Sequence, residues 1–311
     1  MSNDENAPAG DAIAWVTPKL NMHILALKDG RQLAYYEYGD PKGQPVIYLH
    51  GFFQGPFFLD SMKKGFLKNG LRIIAPSRPS FGYTSPARKK SKYVNTCVQD
   101  ALALLAFLNI NKDILIATHH GSANHAFRLA NQLEDVLKGM VMIGVRIPMT
   151  SEHIGYMSQQ ARTISAASRH APSIMNMVGS MGIKIYKQKG IRAFLETQWQ
   201  PTDMDRKCLN HPDRFEKIAE GIFHMTEQGA DAFVLDGQAQ MGDWTDDFAR
   251  VSTLQSWIHG RHCHVMGPDF IKDYVESKTN HQVEILENAG FNIIYQSPET
   301  VLEKLIEAKN W

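Results

Sequence analysis

The chain has 311 residues, 43% of them hydrophobic, which is enough for one large domain or for a domain with a sizeable insertion. Its 33 lysine and arginine residues balance 32 aspartate and glutamate residues, so no basic excess indicates binding to nucleic acid or to a membrane. Three cysteines are too few for a disulfide framework and indicate a reducing compartment, so we expect a cytoplasmic protein.

The N-terminal segment differs in composition from the rest of the chain. Residues 1–11 are polar and acidic with glycine and proline, which predicts a disordered leader over residues 1–20. The segment lacks the apolar core of a signal peptide. No apolar run in the sequence is long enough for a transmembrane helix.

The next part of the chain alternates short apolar runs with helical patterns. Alternating residues on both sides of Asp29-Gly30 predict a β-hairpin, and the later, fully apolar runs predict buried strands. The predicted strands here are 22–27, 32–38, 45–49, 71–75, one beginning at Ile114, and 139–145. The predicted helices are 57–68, 93–108 and one that includes residues 126–130.

The short apolar runs that predict strands end after residue 149, and only helical patterns follow up to about residue 229. We therefore predict an inserted helical lid over 150–229 and a core formed by 21–149 and 230–311. Strands return at 254–259 and 283–286, with helices near 269–277 and 298–309. This order predicts an α/β fold with a mostly parallel central sheet and helices on both faces. Ligands of such sheets bind beyond the carboxyl ends of the strands.

The segment from Ala117 to Gly121 lies between a buried strand and a helix. A strand that turns sharply into a helix needs small residues near its apex, because the helix packs tightly against the strand. Ala117 and Gly121 lie two residues before and two residues after His119, so we predict His119 at the apex with a positive φ. This is the spacing of the nucleophile elbow G-x-S-x-G, with histidine in place of serine.

These features resemble the α/β-hydrolase superfamily over roughly Ala26 to the C-terminus. The segments that carry the resemblance are His50-Gly51, 78–82, 117–121, His259-Gly260 and 288–301. The chain is also similar to hydrolase-like domains fused to LuxR-type helix-turn-helix regulators, in segments 35–40 and 76–82. Its short leader leaves no room for such a DNA-binding domain. The resemblance implies an α/β-hydrolase fold with a helical lid.

The resemblance places the family's nucleophile at His119, its acid at Cys263 and its general base at Phe291. A Ser-His-Asp relay requires a hydroxyl group, a base that takes its proton and an anion that orients the base. The three positions supply none of these, and a phenylalanine cannot transfer a proton. The resemblance therefore implies a degenerate triad and a non-catalytic protein.

The family's oxyanion hole consists of backbone amides, which do not depend on side-chain identity. The resemblance places these donors at His120 and Phe52, beside Gly51. We predict that Gly51, Phe52 and His120 bind a small apolar ligand through one carbonyl or carboxylate acceptor, without a cofactor.

Three alternatives remain open at this stage. Cys263 with His262, His264 or His119 as its base would give a displaced hydrolase or lyase, whereas Ser122 is expected to point towards the sheet. The same histidines suggest metal ligands, but alternation along an extended loop points neighbouring residues in opposite directions, so no metal is predicted. A scaffold with a vestigial pocket, whose lid binds another protein, is the third alternative.

Overall fold

The computed structural model describes residues 21–150, 152–198 and 201–311, and the predicted leader lies outside them. Its centre is a sheet of eight strands in the order β1-β2-β4-β3-β5-β6-β7-β8. The strands are β1 (Met22–Ala26), β2 (Gln32–Gly39), β3 (Gln44–Leu49), β4 (Leu71–Pro76), β5 (Ile114–His119), β6 (Leu137–Ile143), β7 (Gln255–Gly260) and β8 (Val283–Leu286).

The sheet is mostly parallel, as the sequence predicts. Strand β1 pairs antiparallel with β2, and β2 pairs antiparallel with β4, while all later pairings are parallel. The register places Leu49 beside Thr118 and His119 beside Ile143. The carboxyl ends of β3, β5 and β6 therefore meet at one edge, and we call this the carboxyl edge.

Thirteen α-helices occur in the described part of the chain, seven of them between β6 and β7. The helices of the first half are α1 (Asp60–Lys68), α2 (Tyr93–Phe107), α3 (Ala123–Gln132), α4 (Gln159–His170), α5 (Pro172–Lys189) and α6 (Ile191–Gln198). They are followed by α7 (Asp203–Leu209), α8 (Pro212–Thr226), α9 (Asp231–Ala239), α10 (Thr245–Arg250), α11 (Pro268–Lys278), α12 (Ile293–Gln296) and α13 (Pro298–Lys309). No helix in the described ranges is long and apolar enough to cross a membrane.

Local sequence explains where several of the inserted helices begin and end. Proline occupies the first turn of α5 and α8, where its missing N–H donor costs no intrahelical bond. Helix α7 begins with a capping box, in which Thr202 and Asp205 satisfy each other's backbone amides. Helices α4 to α8 fall in the segment predicted as a lid, whose boundaries stay a prediction.

The inserted helices pack directly on the carboxyl edge. Gly221 of α8 lies so close to the loop after β3 that a Cβ there would be 2.7 Å from Cα of Gln54. Side chains larger than hydrogen would push the helix away from this loop. Glycine at this position therefore lets α8 contact the backbone beside the predicted ligand site.

Two predicted boundaries differ from the structure for identifiable reasons. Helix α1 begins at Asp60 rather than at residue 57, and the carbonyl of Phe57 accepts a hydrogen bond of 2.9 Å from the Tyr295 hydroxyl instead of continuing a helix. Strand β6 ends at Ile143 rather than at residue 145, because Gly144 has a φ of 56° that breaks the extended conformation.

A buried ion pair joins α9 to the loop after β4. Arg78, in the loop after β4, donates through Nε to one oxygen of Asp236 at 3.0 Å and through Nη2 to the other at 2.5 Å. Both side chains are at least 95% buried, and the Tyr93 hydroxyl donates to the same carboxylate at 2.8 Å. Arg78 also donates to the carbonyl of His50 and, at 2.6 Å, to Oγ of Ser122. One guanidinium thus connects α9 with the loops after β3, β4 and β5.

We expect Asp236→Asn to lower the free energy of unfolding by about 3–5 kcal/mol, because the substitution leaves the buried Arg78 charge without its counterion. Urea unfolding followed by circular dichroism measures the change. Tyr93→Phe is the matched control, because it removes one neutral donor from the same carboxylate and should cost only about 0.5–1.5 kcal/mol. Equal losses for the two variants would contradict a structural role for the ion pair.

Candidate functional site

The turn from β5 into α3 differs by one residue from the prediction. His119 is still part of β5, with an extended φ of −120° and ψ of 132°, and it pairs with Ile143. The positive φ belongs to His120, at 51°. The prediction that His119 is the apex is therefore wrong, and His120 occupies the strained position. Such a conformation costs a non-glycine residue on the order of 1–3 kcal/mol.

The error comes from a misleading small residue. A Cβ at Gly121 would lie 2.5 Å from Cδ of Gln240, so a larger residue here would displace the end of the Gln240 side chain. The residues two before and two after the true apex are Thr118 and Ser122. The nucleophile position of the family pattern consequently moves from His119 to His120, and the amide that follows the apex is that of Gly121.

Phe291, at the position of the family's base, is in contact with the corrected apex residue. The ring centroids of His120 and Phe291 are 4.0 Å apart with an interplanar angle of 57°. The ring of His264 lies 5.5 Å from Phe291 on another side. The structure therefore brings His120 and Phe291 together through an aromatic contact, and the assignment of Phe291 to the base position stays a prediction.

Cys263, at the position of the family's acid, is a buried free thiol. A cavity lies beside His120 and Phe291, and its described lining includes His264 but not Cys263. His262 is exposed and Cys263 is buried, so these two side chains lie on opposite sides of the loop, as alternation predicts. Within 21–150, 152–198 and 201–311, no group of three or more histidine, cysteine, aspartate and glutamate side chains could hold a metal ion.

His264 contacts an acidic side chain from the inserted helices. Its Nδ1 lies 3.5 Å from Oδ2 of Asp205, a fully buried residue of α7. The other oxygen of Asp205 accepts a hydrogen bond of 3.1 Å from Gln296. The 3.5 Å contact is not a hydrogen bond, and Oδ2 of Asp205 accepts hydrogen bonds from the Thr202 hydroxyl at 2.7 Å and the Thr202 amide at 3.2 Å.

The loop after β3 closes the opposite side of the site. A Cβ at Gly51 would lie 3.2 Å from Cβ of His120 and 2.4 Å from Oε1 of Gln54, so only glycine allows this approach. The rings of Phe52 and Phe53 follow, with centroids 4.4 Å apart, and Phe53 has a φ of 59°. Gly51, Phe52 and His120 thus lie at one site, and their role in ligand binding stays a prediction.

These groups line a partly open cavity of about 50 Å³ beneath α4. Its wall includes Phe52, Phe53, His120, Arg146, Ile164, His264 and Phe291. A second cavity of about 30 Å³ shares Phe53 and Ile164 with the first and is lined mainly by apolar side chains of α5, α8 and α9. A larger polar groove, about 600 Å³, lies on the surface beside α2 and is lined by basic residues.

No protein-family model and no curated protein matches the sequence. Among solved structures, the esterase RhEst1 from Rhodococcus sp. ECU1013 is similar with a TM-score of 0.68 at 13% identity, over 94% of this chain and 99% of that chain. A carboxylesterase of Nitrososphaera gargenis gives 0.69 at 15% identity, over 92% and 97%. An epoxide hydrolase of the α/β-hydrolase superfamily from hot-environment metagenomes gives 0.65 at 15%, over 94% and 99%.

The chain has the α/β-hydrolase fold. The predicted fold class is thereby confirmed. At these identities the similarity shows the fold alone and gives no information about the reaction or the ligand of the site.

The hydroxyl group of Ser122 is held by contacts within the fold. It donates to the carbonyl of His50 and accepts the hydrogen bond from Arg78. The side chain is fully buried and lies outside the wall of the 50 Å³ cavity in the described structure. Ser122 is therefore a structural residue that ties the elbow to the loop after β3.

Arg146 is the site residue that sequence reasoning missed. It follows β6 at the carboxyl edge, and its backbone N–H lies 3.4 Å from the carbonyl of His120. The available signal was one charged residue directly after an apolar strand, at the edge where ligands of parallel sheets bind. Asp205 gave no such signal, because only folding brings α7 to His264.

Burial determines the charges in this site. Desolvation lowers the pKa of His119 to about 3 and that of His259 to about 4, and it holds the pKa of His120 well below its usual range. These imidazoles are neutral at pH 7. Desolvation also lowers the pKa of Arg146 to about 10, which leaves its guanidinium protonated at neutral pH.

The low pKa of His119 predicts a dependence of stability on pH. Between the ordinary histidine pKa of about 6.5 and the folded value of about 3, the unfolded chain binds a proton at this residue and the folded chain does not. Stability therefore falls as the pH falls, with a contribution of up to about 1.4 kcal/mol per pH unit from this one residue.

We expect His119→Asn to reduce the slope of the unfolding free energy against pH, between pH 5.5 and 4, by up to about 1.4 kcal/mol per pH unit. Urea unfolding at steps of half a pH unit measures this slope. The slope is the readout, because the substitution also changes packing. His262→Asn is the control, since this side chain is exposed in the folded protein and should leave the slope unchanged. Equal slopes for wild type and His119→Asn would contradict a buried, neutral His119.

Proposed function

We propose that this protein uses the cavity beside His120 to bind a small ligand with an apolar body and one carbonyl or carboxylate acceptor, without hydrolysing an ester. The observation that carries the proposal is the 4.0 Å contact between the rings of His120 and Phe291. A hydroxyl nucleophile and its base would have to stand at these two positions. An imidazole and a phenyl ring in contact transfer no proton from a hydroxyl group.

The lining of the cavity supports binding. Phe52, Ile164 and Phe291 provide an apolar surface, and a few polar groups converge on the same space. Small-molecule sites combine these two features, with the polar groups fixing the orientation of the ligand. The retained turn at His120 supports the proposal further, because a strained residue persists only where its surroundings enforce it.

We expect no serine-esterase activity from the wild-type protein on methyl acetate or p-nitrophenyl acetate, and no labelling of a serine by a fluorophosphonate probe. His120→Ser should remain unlabelled as well, because Phe291 still supplies no base. The double variant His120→Ser/Phe291→His is the matched comparison, since it places a base beside the new hydroxyl. Intact-protein mass spectrometry after incubation with the probe measures labelling. Stoichiometric labelling of the wild type or of the single variant would refute the non-catalytic assignment.

Binding is tested with acetate, acetamide and methyl acetate as probes, by titration of methyl-labelled protein in NMR. At least one probe should shift resonances of Ile164, and Phe291→Asp should weaken its binding by about tenfold or more, because a carboxylate enters the dry side of the cavity. Lys207→Ala, an exposed residue of α7, is the control and should leave binding unchanged. Equal affinity of wild type and Phe291→Asp would count against this cavity as the binding site.

A second candidate function is an enzyme that uses a general base without a protein nucleophile. The contact between His264 and Asp205 favours this candidate, because a carboxylate lies near an imidazole that lines the cavity. In this candidate the general base is His264, and Cys263 has no role. Cys263 is not among the described residues that line the cavity. Turnover that is abolished by His264→Gln and unaffected by Cys263→Ala would support this candidate.

The alternative of a protein-binding scaffold finds support on the outer face of α5. Ile174, Met177 and Met181 are each more than half exposed and lie one turn apart along the helix. Such an apolar stripe is a feature of helices that contact another protein. Under this alternative, Met177→Lys would abolish a complex without changing the affinity of the cavity for any probe.

A further inference from the structure

Arg146 is a buried cation at the wall of the candidate cavity. Its side chain is 9% exposed and lines the cavity together with His120, His264 and Phe291. The backbone around it is fixed, because Gly144 turns the chain after β6 and the Arg146 amide approaches the His120 carbonyl. The guanidinium is therefore held beside the apex of the elbow.

No carboxylate neutralises this guanidinium in the described structure. Its Nε and Nη1 are buried without a hydrogen-bond partner among the described residues, and no salt bridge there includes it. Five other arginines of the described structure contact carboxylates at 2.5–2.7 Å. These pairs are Arg31–Asp100, Arg72–Glu37, Arg78–Asp236, Arg128–Asp247 and Arg261–Asp269. Buried charges are normally paired, so an unpaired one at a cavity wall indicates an anionic ligand.

The neighbouring groups leave the positive charge uncompensated at neutral pH. His120 is neutral because burial lowers its pKa, and Gln240 carries no charge. Desolvation by burial lowers the pKa of the Arg146 guanidinium to about 10, and the nearby Cys263 side chain raises it by a smaller amount. Arg146 remains protonated at pH 7 and faces a space without a fixed anion.

The size of the cavity limits the anion. Its volume of about 50 Å³ compares with the ~10–15 Å³ that one water molecule requires, so the cavity holds roughly four non-hydrogen atoms. Acetate has four such atoms. A second cavity of about 30 Å³ adjoins the first at Phe53 and Ile164 and has room for one or two further carbon atoms. Apolar walls disfavour a doubly charged oxyanion, which would lose more hydration than a monocarboxylate.

We propose that the ligand is a short-chain monocarboxylate, from acetate to butyrate in size, and that Arg146 binds its carboxylate beside His120. The planar guanidinium presents parallel N–H donors that match the two oxygens of a carboxylate. Neutral analogues of a carboxylate, such as amides and esters, offer a single carbonyl acceptor without charge. This inference rests on the proposed function, in that the cavity must admit a ligand, and it adds the charge and the size of that ligand.

The test compares acetate with its uncharged isostere acetamide at constant ionic strength, by chemical-shift titration of methyl-labelled Ile164 and Val265. A ligand of this size binds no more tightly than about 10–100 µM, so titrations extend into the millimolar range. Acetate should bind at least about tenfold more tightly than acetamide, because charge-assisted hydrogen bonds are the stronger ones. Inorganic phosphate at the same concentration should not displace acetate.

Arg146→Met removes the charge and keeps most of the side-chain volume, so acetate affinity should fall by at least about tenfold while acetamide affinity is unchanged. Arg261→Met is the matched control. Arg261 lies directly after β7, is partly exposed and already contacts Glu287 and Asp269, so its loss should not affect acetate binding. If Arg146→Met does not fold, the comparison of acetate with acetamide on the wild-type protein still decides the question.

The outcomes separate this inference from the proposed function. Equal affinities of acetate and acetamide, or unchanged acetate binding by Arg146→Met, would overturn the role of Arg146 and leave a cavity for neutral acceptors. Absence of binding by every probe up to 100 mM would overturn both. Displacement of acetate by inorganic phosphate would overturn the assignment to monocarboxylates.

Discussion

The ion pair between Arg78 and Asp236 determines the shape of the carboxyl edge. It is buried, bidentate and shared with Tyr93, and the same guanidinium donates to the carbonyl of His50 and to Ser122. Removal of either charge would leave the other uncompensated in the interior, which is far more costly than the loss of a surface salt bridge. Through this pair, α9 and the loops after β3, β4 and β5 keep their relative positions, and the cavity beside His120 exists only while they do.

The two arginines of this edge make opposite use of the same chemistry. Arg78 contacts the carboxylate of Asp236 at 2.5 Å and stabilises the fold. Arg146 contacts no carboxylate in the described structure and lines a cavity. The contact of His120 with Phe291 adds an apolar ring to the wall of the same cavity, beside the apex of the elbow.

Much of the fold could be predicted from the sequence, because its strands are short apolar runs bounded by glycine, proline and polar turns. Strand β8 was predicted with its observed ends, and β3 and β4 within one residue. The sequence pattern placed the apex of the elbow one residue too early. The small residue Gly121 packs against the side chain of Gln240, a residue far away in the sequence, and does not mark the apex. For the same reason no local pattern indicated that Asp205 lies beside His264 or that Arg146 lacks a counterion. Such facts depend on which distant segments pack together.

The central claim is that the cavity beside His120 holds a carboxylate against Arg146. A crystal structure of the protein grown with sodium butyrate tests it most directly. The account predicts a carboxylate group about 2.7–2.9 Å from the guanidinium nitrogens of Arg146, with its carbon chain directed towards Phe53 and Ile164. An Arg146 side chain paired with a protein carboxylate, with butyrate absent from the cavity, would contradict it.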